Sequence, residues 1–495
     1  MIATEQEPKS LLSFDRERWK GWYESQPNEY DYWIEDIEGE IPPALNGTLF
    51  RNGPALFDIN GQRLHHPFDG DGMVCAIAFD QGRVHFCNRF VRTEGYLKEQ
   101  QSEKILYRGV FGTQKPGGLW ANAFNIKLKN IANTHVVYWG GKLLAMWDAA
   151  EHYRLDPKTL ETLGKDDRDG IWAKGDVSKT HYRIDPNCNQ DGGAPCLVSF
   201  VIKLGILNCK ITIHEQDPTG KLQRSYSHIV PGFAFMHDLV ITPNYCIFVQ
   251  NPMTFNPIPF FLGLKGAARC LKPKPNSPTR ILVIPRHGKQ PMQVLETQAG
   301  FTYHHVNAFE QGDRIYVDSI AYESEPLNKV EPGTDYRDID FNTVPPGQLF
   351  RFTLNLADST VQQQQLLERC CEFPAVHPHH VGRPYRYVYM GVAERPTGTA
   401  PLQAIAKLDL TTGEQQIWSA APHGFVGEPI FVPHPDAKGE DHGWVLALVY
   451  DSSHHQSDVV ILDGRDLNQG AIARLHLKHH IPYGLHGSWT PTVFN

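Results

Sequence analysis

Short runs of β-branched and aromatic residues alternate along the chain with turn-forming residues. VVYWGGKLLAMW, YCIFVQ, RIYVDSIAY and WVLALVY are examples of these runs. Runs of this composition, bounded by Gly, Pro, Asn and Asp, are typical of β-strands. Apolar residues at helical spacing are scarce, so the pattern predicts an all-β protein.

Seven stretches place turn-forming residues between two extended segments. They are AFDQGRVHF at Ala78, RLDPKTLET at Arg154, HEQDPTGKL at His214, VIPRHGKQPMQV at Val283, TLNLADSTV at Thr353, KLDLTTGEQ at Lys407 and ILDGRDLNQ at Ile461. Asp, Gly and Pro accept the backbone angles of the tight turns that join antiparallel strands. Each stretch therefore predicts a β-hairpin.

The hairpins recur every 50 to 75 residues, roughly, which suits a four-stranded propeller blade with long connections. We predict a seven-bladed β-propeller that forms a single domain over residues 1–495, with residues 1–40 as an N-terminal extension packed on it. The alternative is a pair of β-sandwiches whose turns are spaced by coincidence.

Composition limits the class of partner. The chain has 495 residues and a net charge of −8, with both signs of charge dispersed and no long basic run. A protein of this kind is not expected to bind nucleic acid as its main partner. A small-molecule substrate is therefore favoured.

The cysteines and the N-terminus indicate a location. None of the nine cysteines forms a CxxC pair, so most are expected to be buried thiols. The first residues, MIATEQEPKSLLSF, lack the basic and apolar regions of a signal peptide. No apolar run reaches the roughly 18 residues of a membrane-spanning helix. We predict a cytoplasmic protein, soluble or peripherally associated with membranes.

Four histidines lie in separate, mostly apolar segments. They are His181 in KTHYRIDP, His237 in PGFAFMHDLVIT, His304 in FTYHHVNAF and His486 in IPYGLHGSW. A propeller brings its inner strands to one axis, where distant residues can meet. The set predicts a metal site with nitrogen ligands, which suits iron, copper or nickel better than a structural zinc. Each histidine could instead be a core ring bonded to backbone.

Three acids have the surroundings expected of groups that orient ligating rings. A metal-bound imidazole usually donates its second N–H to a carboxylate. Glu372 in CCEFPAV, Glu428 in GFVGEPIFVP and Asp148 in LLAMWDAAE lie among apolar neighbours. The alternative for each is a carboxylate held by backbone N–H groups in a turn.

Six motifs follow one another along nearly the whole chain: GTLFRNGP, HPFDGDGM, PGFAFMHD, FTYHHVNAFE, EFP and PYGLHGSW. Together they resemble the carotenoid cleavage oxygenase family, and most closely its apocarotenoid-cleaving branch. The resemblance implies a seven-bladed propeller with a dome of loops and helices over its top face. It also implies a non-haem Fe(II) ion held by four histidines, with O₂ as co-substrate and no organic cofactor.

The resemblance assigns roles to residues. It implies iron ligands at His181, His237, His304 and His486, and acids behind them at Glu372, Glu428 and Asp148. It selects His304 over His305, two neighbours that point to opposite faces of a strand. Most family members have Glu where this chain has Asp148. Because the aspartate side chain is shorter, its hydrogen bond to the histidine ring is expected to be longer, to be lost, or to be replaced by a bridging water.

The same resemblance outlines a substrate pocket. It places Thr134 beside an open coordination site of the iron. It places Phe68, Trp147, Phe235 and Tyr303 along the substrate, where aromatic rings supply rigid apolar walls. The alternative is that the threonine is an ordinary strand residue and the aromatic rings belong to the core.

Residues 251–276, NPMTFNPIPFFLGLKGAARCLKPKPN, combine apolar side chains with a basic flank. This pattern predicts an exposed patch that contacts a membrane surface. The patch is expected to contain Phe260, Phe261, Leu262 and Leu264. The alternative is a buried element of the dome.

These observations predict a monomeric iron oxygenase that cleaves an apocarotenoid at its 15,15′ double bond to give retinal. One alternative keeps the chemistry but acts on another carotenoid double bond, such as 9,10, or on a stilbene. Two others, a propeller that only binds pigment and a metal-dependent hydrolase, would not consume O₂.

Overall fold

The computed structural model describes residues 14–172, 177–188, 193–205, 207–233, 235–274, 276–287, 290–327, 329 and 334–495. Their strands form seven antiparallel sheets of four or more strands, arranged as the blades of a β-propeller. The predicted fold is therefore confirmed.

The blades are numbered in chain order. Blade 1 contains Gly47–Leu56, Asp71–Asp80 and Arg83–Phe90. Blade 2 contains His135–Trp139, Lys142–Met146, His152–Leu155 and Thr162–Asp166. Blade 3 contains Val177–Ser178, Arg183–Asp185, Cys196–Leu204, Asn208–Gln216 and Leu222–Pro231. Blade 4 contains Val240–Ile241, Tyr245–Gln250, Thr279–Pro285 and Gln293–Thr297. Blade 5 contains Phe301–Gln311, Arg314–Tyr322, Gln348–Asn355 and Thr360–Leu367. Blade 6 contains Cys371–Ala375, Tyr387–Ala393, Leu402–Asp409 and Gln415–Ser419. Blade 7 contains Gly424–Val426, Ile430–Pro433, Gly443–Asp451, Gln456–Asp463 and Ala471–His476.

The remaining elements are short. Two ribbons pair Asp58–Ile59 with Gln62–Arg63 and Met253–Phe255 with Leu271–Pro273. The α-helices are Arg16–Lys20, Glu94–Ser102, Gly118–Asn122 and Ile258–Phe261. The 3₁₀ turns are Gly21–Tyr23, Pro67–Asp69, Ala268–Cys270, Tyr336–Asp338, Phe341–Thr343, Pro378–His380 and Leu467–Gln469. Within the described ranges, no helix is long and apolar enough to cross a membrane.

Each of the seven predicted hairpins joins the two outer strands of a different blade. The turn of one of them, at residues 288 and 289, lies outside the described residues. In five of the other six, an aspartate acts as expected and accepts a backbone N–H two residues ahead. These residues are Asp156, Asp217, Asp358, Asp409 and Asp463. Local turn chemistry therefore repeats once per blade.

Both ends of the chain join the first and last blades. Near the C-terminus, Gly487–Thr490 forms the inner strand of blade 1 by pairing with Gly47–Leu56. Near the N-terminus, Tyr30–Trp33 pairs with the outer strand of blade 1 and Ile37–Gly39 with that of blade 7. The ring is therefore closed by β-pairing rather than by side-chain packing alone.

Residues 14–23 pack against blade 7 and against residues 336–341. Trp19, Trp22 and Tyr23 are buried, and Trp22 stacks on Tyr450 of blade 7 at 5.9 Å between ring centroids. Residues 1–13 of the expected extension lie outside the described part of the chain.

The dome is organised by the fully buried Arg108. Its guanidinium donates to the carbonyl oxygens of Asn125, Phe260 and Lys265 at 2.9, 2.8 and 2.7 Å. It also lies 4.1 Å from the ring centroid of Phe260, in cation–π geometry. The prediction that Phe260 belongs to an exposed patch is therefore wrong, because this side chain packs beneath the arginine.

The cysteines follow the prediction with one exception. Seven are buried thiols, and burial raises the pKa of Cys75 and Cys246 to about 12. Cys188 and Cys196 instead form a disulfide in blade 3, with a Cα–Cα distance of 5.5 Å.

Closure of the ring leaves no room at Gly47. Its φ is 144°, and a Cβ there would lie 2.4 Å from both the Thr490 carbonyl oxygen and the Trp489 indole. We expect Gly47→Ala to lower the free energy of unfolding by about 2–5 kcal/mol, the sum of left-handed strain and overpacking. Urea denaturation measures the change.

Gly82→Ala is the matched control. Gly82 has a φ of 80° and no atom within 4 Å of a built Cβ, so only strain of about 1–2 kcal/mol is expected. Equal losses for the two variants would contradict crowding at the closure.

Candidate metal centre and cavity

The four predicted histidines come from the inner ends of four blades. His181 precedes Arg183–Asp185 of blade 3, and His237 precedes Val240–Ile241 of blade 4. His304 lies within Phe301–Gln311 of blade 5, and His486 directly precedes Gly487–Thr490 of blade 1. The structure brings one nitrogen of each ring within 4.8 Å of the others.

The rings point their Nε2 atoms at one another. The Nε2 atoms of His181 and His237 are 2.9 Å apart. The Nε2 atom of His304 is buried and has no hydrogen-bond partner among the described residues. A buried nitrogen without a partner is costly, and a cation bound by the four nitrogens would satisfy it. The donor set therefore fits a metal ion.

The three predicted acids hold three of the rings from behind. The Nδ1 atoms of His237, His304 and His486 lie 2.7, 2.6 and 2.8 Å from carboxylate oxygens of Asp148, Glu372 and Glu428, respectively. These contacts fix each ring with its other nitrogen toward the centre. The expected weakening at Asp148 is not observed, since its contact is as short as those of the two glutamates.

His181 is held differently. Its Nδ1 atom is 3.8 Å from Asp238, beyond hydrogen-bond distance. Asp238 accepts bonds instead from the guanidinium of Arg183 and the backbone N–H of His305, both at 2.8 Å. The fourth ring is therefore oriented mainly by packing.

His304 and His305 serve different purposes. The ring of His304 joins the cluster, whereas the Nδ1 atom of His305 lies 2.7 Å from the Ser319 hydroxyl. The strand pairing shifts register on both sides of His305. A β-bulge of this kind re-aims side chains locally, which spacing alone does not reveal.

The charge distribution of the site favours a cation. Burial opposes ionisation of Asp148, Glu372 and Glu428, but neighbouring donors outweigh it and hold the pKa of each carboxyl below its ordinary value. Burial lowers the pKa of His181 well below its ordinary value, and the neighbouring rings lower it further. His181 is thus held as a neutral imidazole, whereas at His304 the Glu372 carboxylate outweighs burial and raises the pKa of the ring.

A cavity of about 470 Å³ opens on the histidine cluster. All five residues of the predicted substrate pocket line it: Phe68, Thr134, Trp147, Phe235 and Tyr303. The walls include aromatic side chains that sequence reasoning missed, namely Trp19, Trp22, Tyr23, Phe111, Phe233, Phe255, Tyr322, Tyr336, Phe341, Phe373 and Tyr483. Such a cavity suits an elongated apolar ligand.

Sequence reasoning also missed the donors behind the acids. Arg51, in the quoted motif GTLFRNGP, pairs with Glu428 and donates to the Leu485 carbonyl at 2.8 Å. The Tyr322 hydroxyl donates to Glu372 at 2.5 Å. The signal for Arg51 was present, since it is a charged residue in the otherwise uncharged strand GTLFRNGPAL.

His135 is a fifth histidine beside the cluster. Its ring centroid is 5.3 Å from that of His486, and its Nδ1 atom accepts the Val136 N–H at 2.8 Å. Burial lowers the pKa of His135 to about 3. It lies outside the group of converging nitrogens and packs as a neutral ring.

Comparison with known proteins places this site in a family. The family model of retinal pigment epithelial membrane protein matches residues 23–491. Apocarotenoid-15,15′-oxygenase of Synechocystis is 52% identical over 484 residues, which cover 98% of each chain. Lignostilbene-alpha,beta-dioxygenase isozyme III of Sphingomonas paucimobilis is 30% identical and aligns over 92% of this chain and 93% of that enzyme.

A solved structure agrees with the whole fold. Cobalt-substituted Synechocystis apocarotenoid oxygenase has a TM-score of 0.95 and 52% identity to this chain, covering 97% of it and 100% of that chain. The chain belongs to the retinal pigment epithelial membrane protein family, the carotenoid oxygenases that its motifs resemble. The predicted family is thereby confirmed.

The different surroundings of the histidines predict different effects on metal content. His237→Ala removes one of the converging nitrogens, and we expect it to lose bound metal. His305→Gln keeps a polar group opposite Ser319, and we expect metal content to stay within about twofold of the original protein, because His305 is not among the converging nitrogens. Elemental analysis of purified, metal-loaded protein measures both.

Circular dichroism provides the folding control for this pair. Loss of metal from folded His305→Gln with retention in His237→Ala would reverse the assignment of the site.

Proposed function

We propose that the protein is a non-haem Fe(II) oxygenase that cleaves an apocarotenoid at its 15,15′ double bond. The reaction consumes one O₂ and converts R–CH=CH–R′ into two aldehydes, R–CHO and R′–CHO, one of which is retinal. The observation that carries the proposal is the four-histidine cluster in the wall of an aromatic cavity. The Synechocystis relative, named apocarotenoid-15,15′-oxygenase, supports the substrate class.

His181, His237, His304 and His486 would hold the iron. When bound, Fe(II) supplies the centre that activates O₂ for addition to the double bond, and no organic cofactor is required. Four neutral ligands leave the charge of the ion undiminished. Asp148, Glu372 and Glu428 keep three rings in the tautomer whose Nε2 atom is free to bind.

The cavity would place the polyene and exclude water. Phe68, Trp147 and Phe235 offer flat apolar walls to a rigid, linear chain. The hydroxyl of Tyr303 donates to Glu325 at 3.2 Å, so the ring rather than a free hydroxyl faces the substrate. Holding the double bond beside the metal would keep the reacting atoms in the geometry that the reaction needs, and such positioning is a large source of rate enhancement. Thr134 would lie next to the O₂ site.

A stilbene is the second candidate substrate. The lignostilbene dioxygenase of Sphingomonas paucimobilis is 30% identical over most of both chains. A stilbene offers the same motif, a conjugated double bond between apolar groups, in a shorter molecule. The higher identity to the apocarotenoid oxygenase, 52% against 30%, favours the polyene.

Product analysis tests the reaction class. We expect iron-loaded protein to convert a β-apocarotenal in detergent to retinal in oxygenated buffer and to leave it intact under argon. Chromatography with mass detection identifies the products. A shorter product formed under argon would indicate a hydrolase or another O₂-independent activity.

Other products separate the remaining alternatives. Cleavage at another carbon would move the proposal to a different carotenoid bond. Binding of pigment without any O₂-dependent product would favour a pigment-binding protein. Conversion of a stilbene but not of the apocarotenal would favour the second candidate.

We also propose that the protein is a cytoplasmic monomer that contacts membranes through residues 251–276. Phe261, Leu262 and Leu264 are 44, 41 and 61% exposed, and Lys265 and Arg269 follow them. A second segment extends the patch with Leu119, Trp120, Phe124 and Ile126, all exposed. The Phe124 N–H donates to the Phe261 carbonyl at 2.6 Å and joins the two segments. Closure of the ring within one chain supports the monomer.

Liposome flotation tests the membrane contact. We expect Phe261→Glu with Leu264→Glu to abolish flotation with phosphatidylcholine vesicles, because each carboxylate would have to enter the apolar interface. The control replaces two exposed leucines outside the patch, Leu163→Glu with Leu207→Glu, which are 56 and 82% exposed. Flotation that is unchanged in the first pair, or lost equally in both, would contradict this surface.

A further inference from the structure

The three carboxylates behind the histidines share one pattern of donors. Each accepts a ring N–H, a backbone N–H and a side-chain donor. For Glu372 the last two come from Phe373 at 2.7 Å and Tyr322 at 2.5 Å. For Glu428 they come from Gly487 at 3.0 Å and from Arg51.

At Asp148 both donors come from one residue. Oδ1 accepts the backbone N–H of Thr180 at 2.9 Å and its hydroxyl at 2.7 Å. Oδ2 accepts the His237 ring at 2.7 Å and lies 3.4 Å from the ammonium of Lys179. Thr180 thus holds one oxygen, and the other faces the His237 ring and Lys179.

The position of Thr180 makes this contact rigid. Its side chain is fully buried, so water does not compete for the hydroxyl. It directly precedes His181, whose Nδ1 atom lies 3.8 Å from Asp238, beyond hydrogen-bond distance. The Thr180–Asp148 bonds therefore tie the backbone beside His181 to the acid that orients His237.

We propose that Thr180 is a positioning residue of the metal centre. Asp148 is one methylene shorter than the two glutamates, and it reaches its ring because Thr180 fixes the carboxylate by two bonds. Lys179 assists through a longer, charge-assisted contact to the same carboxylate. The inference rests on the proposed metal centre and adds Thr180 and Lys179 to it.

Loss of the hydroxyl should act on the metal through Asp148. Without it, the carboxylate keeps only the backbone N–H on Oδ1 and can rotate away from His237. Removal of a group that orients a metal ligand typically lowers metal affinity by about 10- to 100-fold. A change of this kind is measurable without substrate.

Titration of apo-protein with Co²⁺, followed by visible absorption, is the experiment. We expect Thr180→Val, which keeps the shape but removes the hydroxyl, to weaken Co²⁺ binding about tenfold. Thr180→Ser keeps the hydroxyl and should bind within about threefold of the original protein. Lys179→Met should lose less affinity than Thr180→Val, because its contact is longer.

A double-mutant cycle separates positioning from general packing. In an Asp148→Ala background there is no carboxylate to position, so Thr180→Val should cause no further loss. Additive losses in the double variant, or equal losses in Thr180→Ser and Thr180→Val, would overturn the inference. Thermal unfolding of the apo-proteins verifies that each variant is folded.

The outcomes also separate this inference from the function on which it rests. Failure of the original protein to bind either Co²⁺ or Fe²⁺ would overturn the metal centre itself. Normal binding by the original protein and unchanged binding by Thr180→Val would overturn only the role of Thr180.

Discussion

The site depends on hydrogen bonds between imidazole and carboxylate. Four histidines from four blades converge within 4.8 Å, and three are held from behind by ionised acids at 2.6–2.8 Å. An imidazole that can rotate offers its nitrogen in many directions. One that donates Nδ1–H to a fixed carboxylate offers Nε2 in only one. The blades, their closure and the donors behind the acids all serve to keep those carboxylates in place.

Burying three carboxylates requires compensation, and the propeller supplies it from neighbouring segments. An arginine, a tyrosine and a threonine each reach one acid from a different part of the chain. A buried charge is tolerated when several hydrogen bonds satisfy it. Arg51 also donates to the backbone next to His486, so the closure strand and the histidine cluster are stabilised together.

The dome contributes apolar side chains both to the cavity and to the exposed patch. Arg108 donates to the carbonyl groups of Asn125, Phe260 and Lys265, and so joins the two segments that carry the exposed patch. Phe260 packs beneath the guanidinium, whereas Phe261 next to it faces outward. A single turn of helix thereby divides its side chains between the protein and the proposed membrane surface.

Local chemistry made much of the architecture predictable. The turn residues at Asp156 or Asp409 act on backbone groups two residues away, so they mark hairpins without reference to the rest of the fold. The four histidines and three acids stood out for a related reason, because polar groups in apolar segments require partners. Tyr322 and Thr180, which sequence reasoning missed, occupy positions that sequence patterns do not distinguish from those of ordinary residues, whereas Arg51 is a charged residue in an otherwise uncharged strand.

By itself, the sequence determined the number of blades, the all-β class and the types of side chain that converge. Only the tertiary structure decided which donor meets which acid, that Asp148 reaches His237 directly, and that Phe260 is buried. The physical reason is range. Turn preferences and alternation act over a few residues, whereas a hydrogen bond at the axis joins residues brought together only when the ring closes. The effect of one methylene at Asp148, or of the bulge at His305, therefore depends on contacts that exist only in the folded ring.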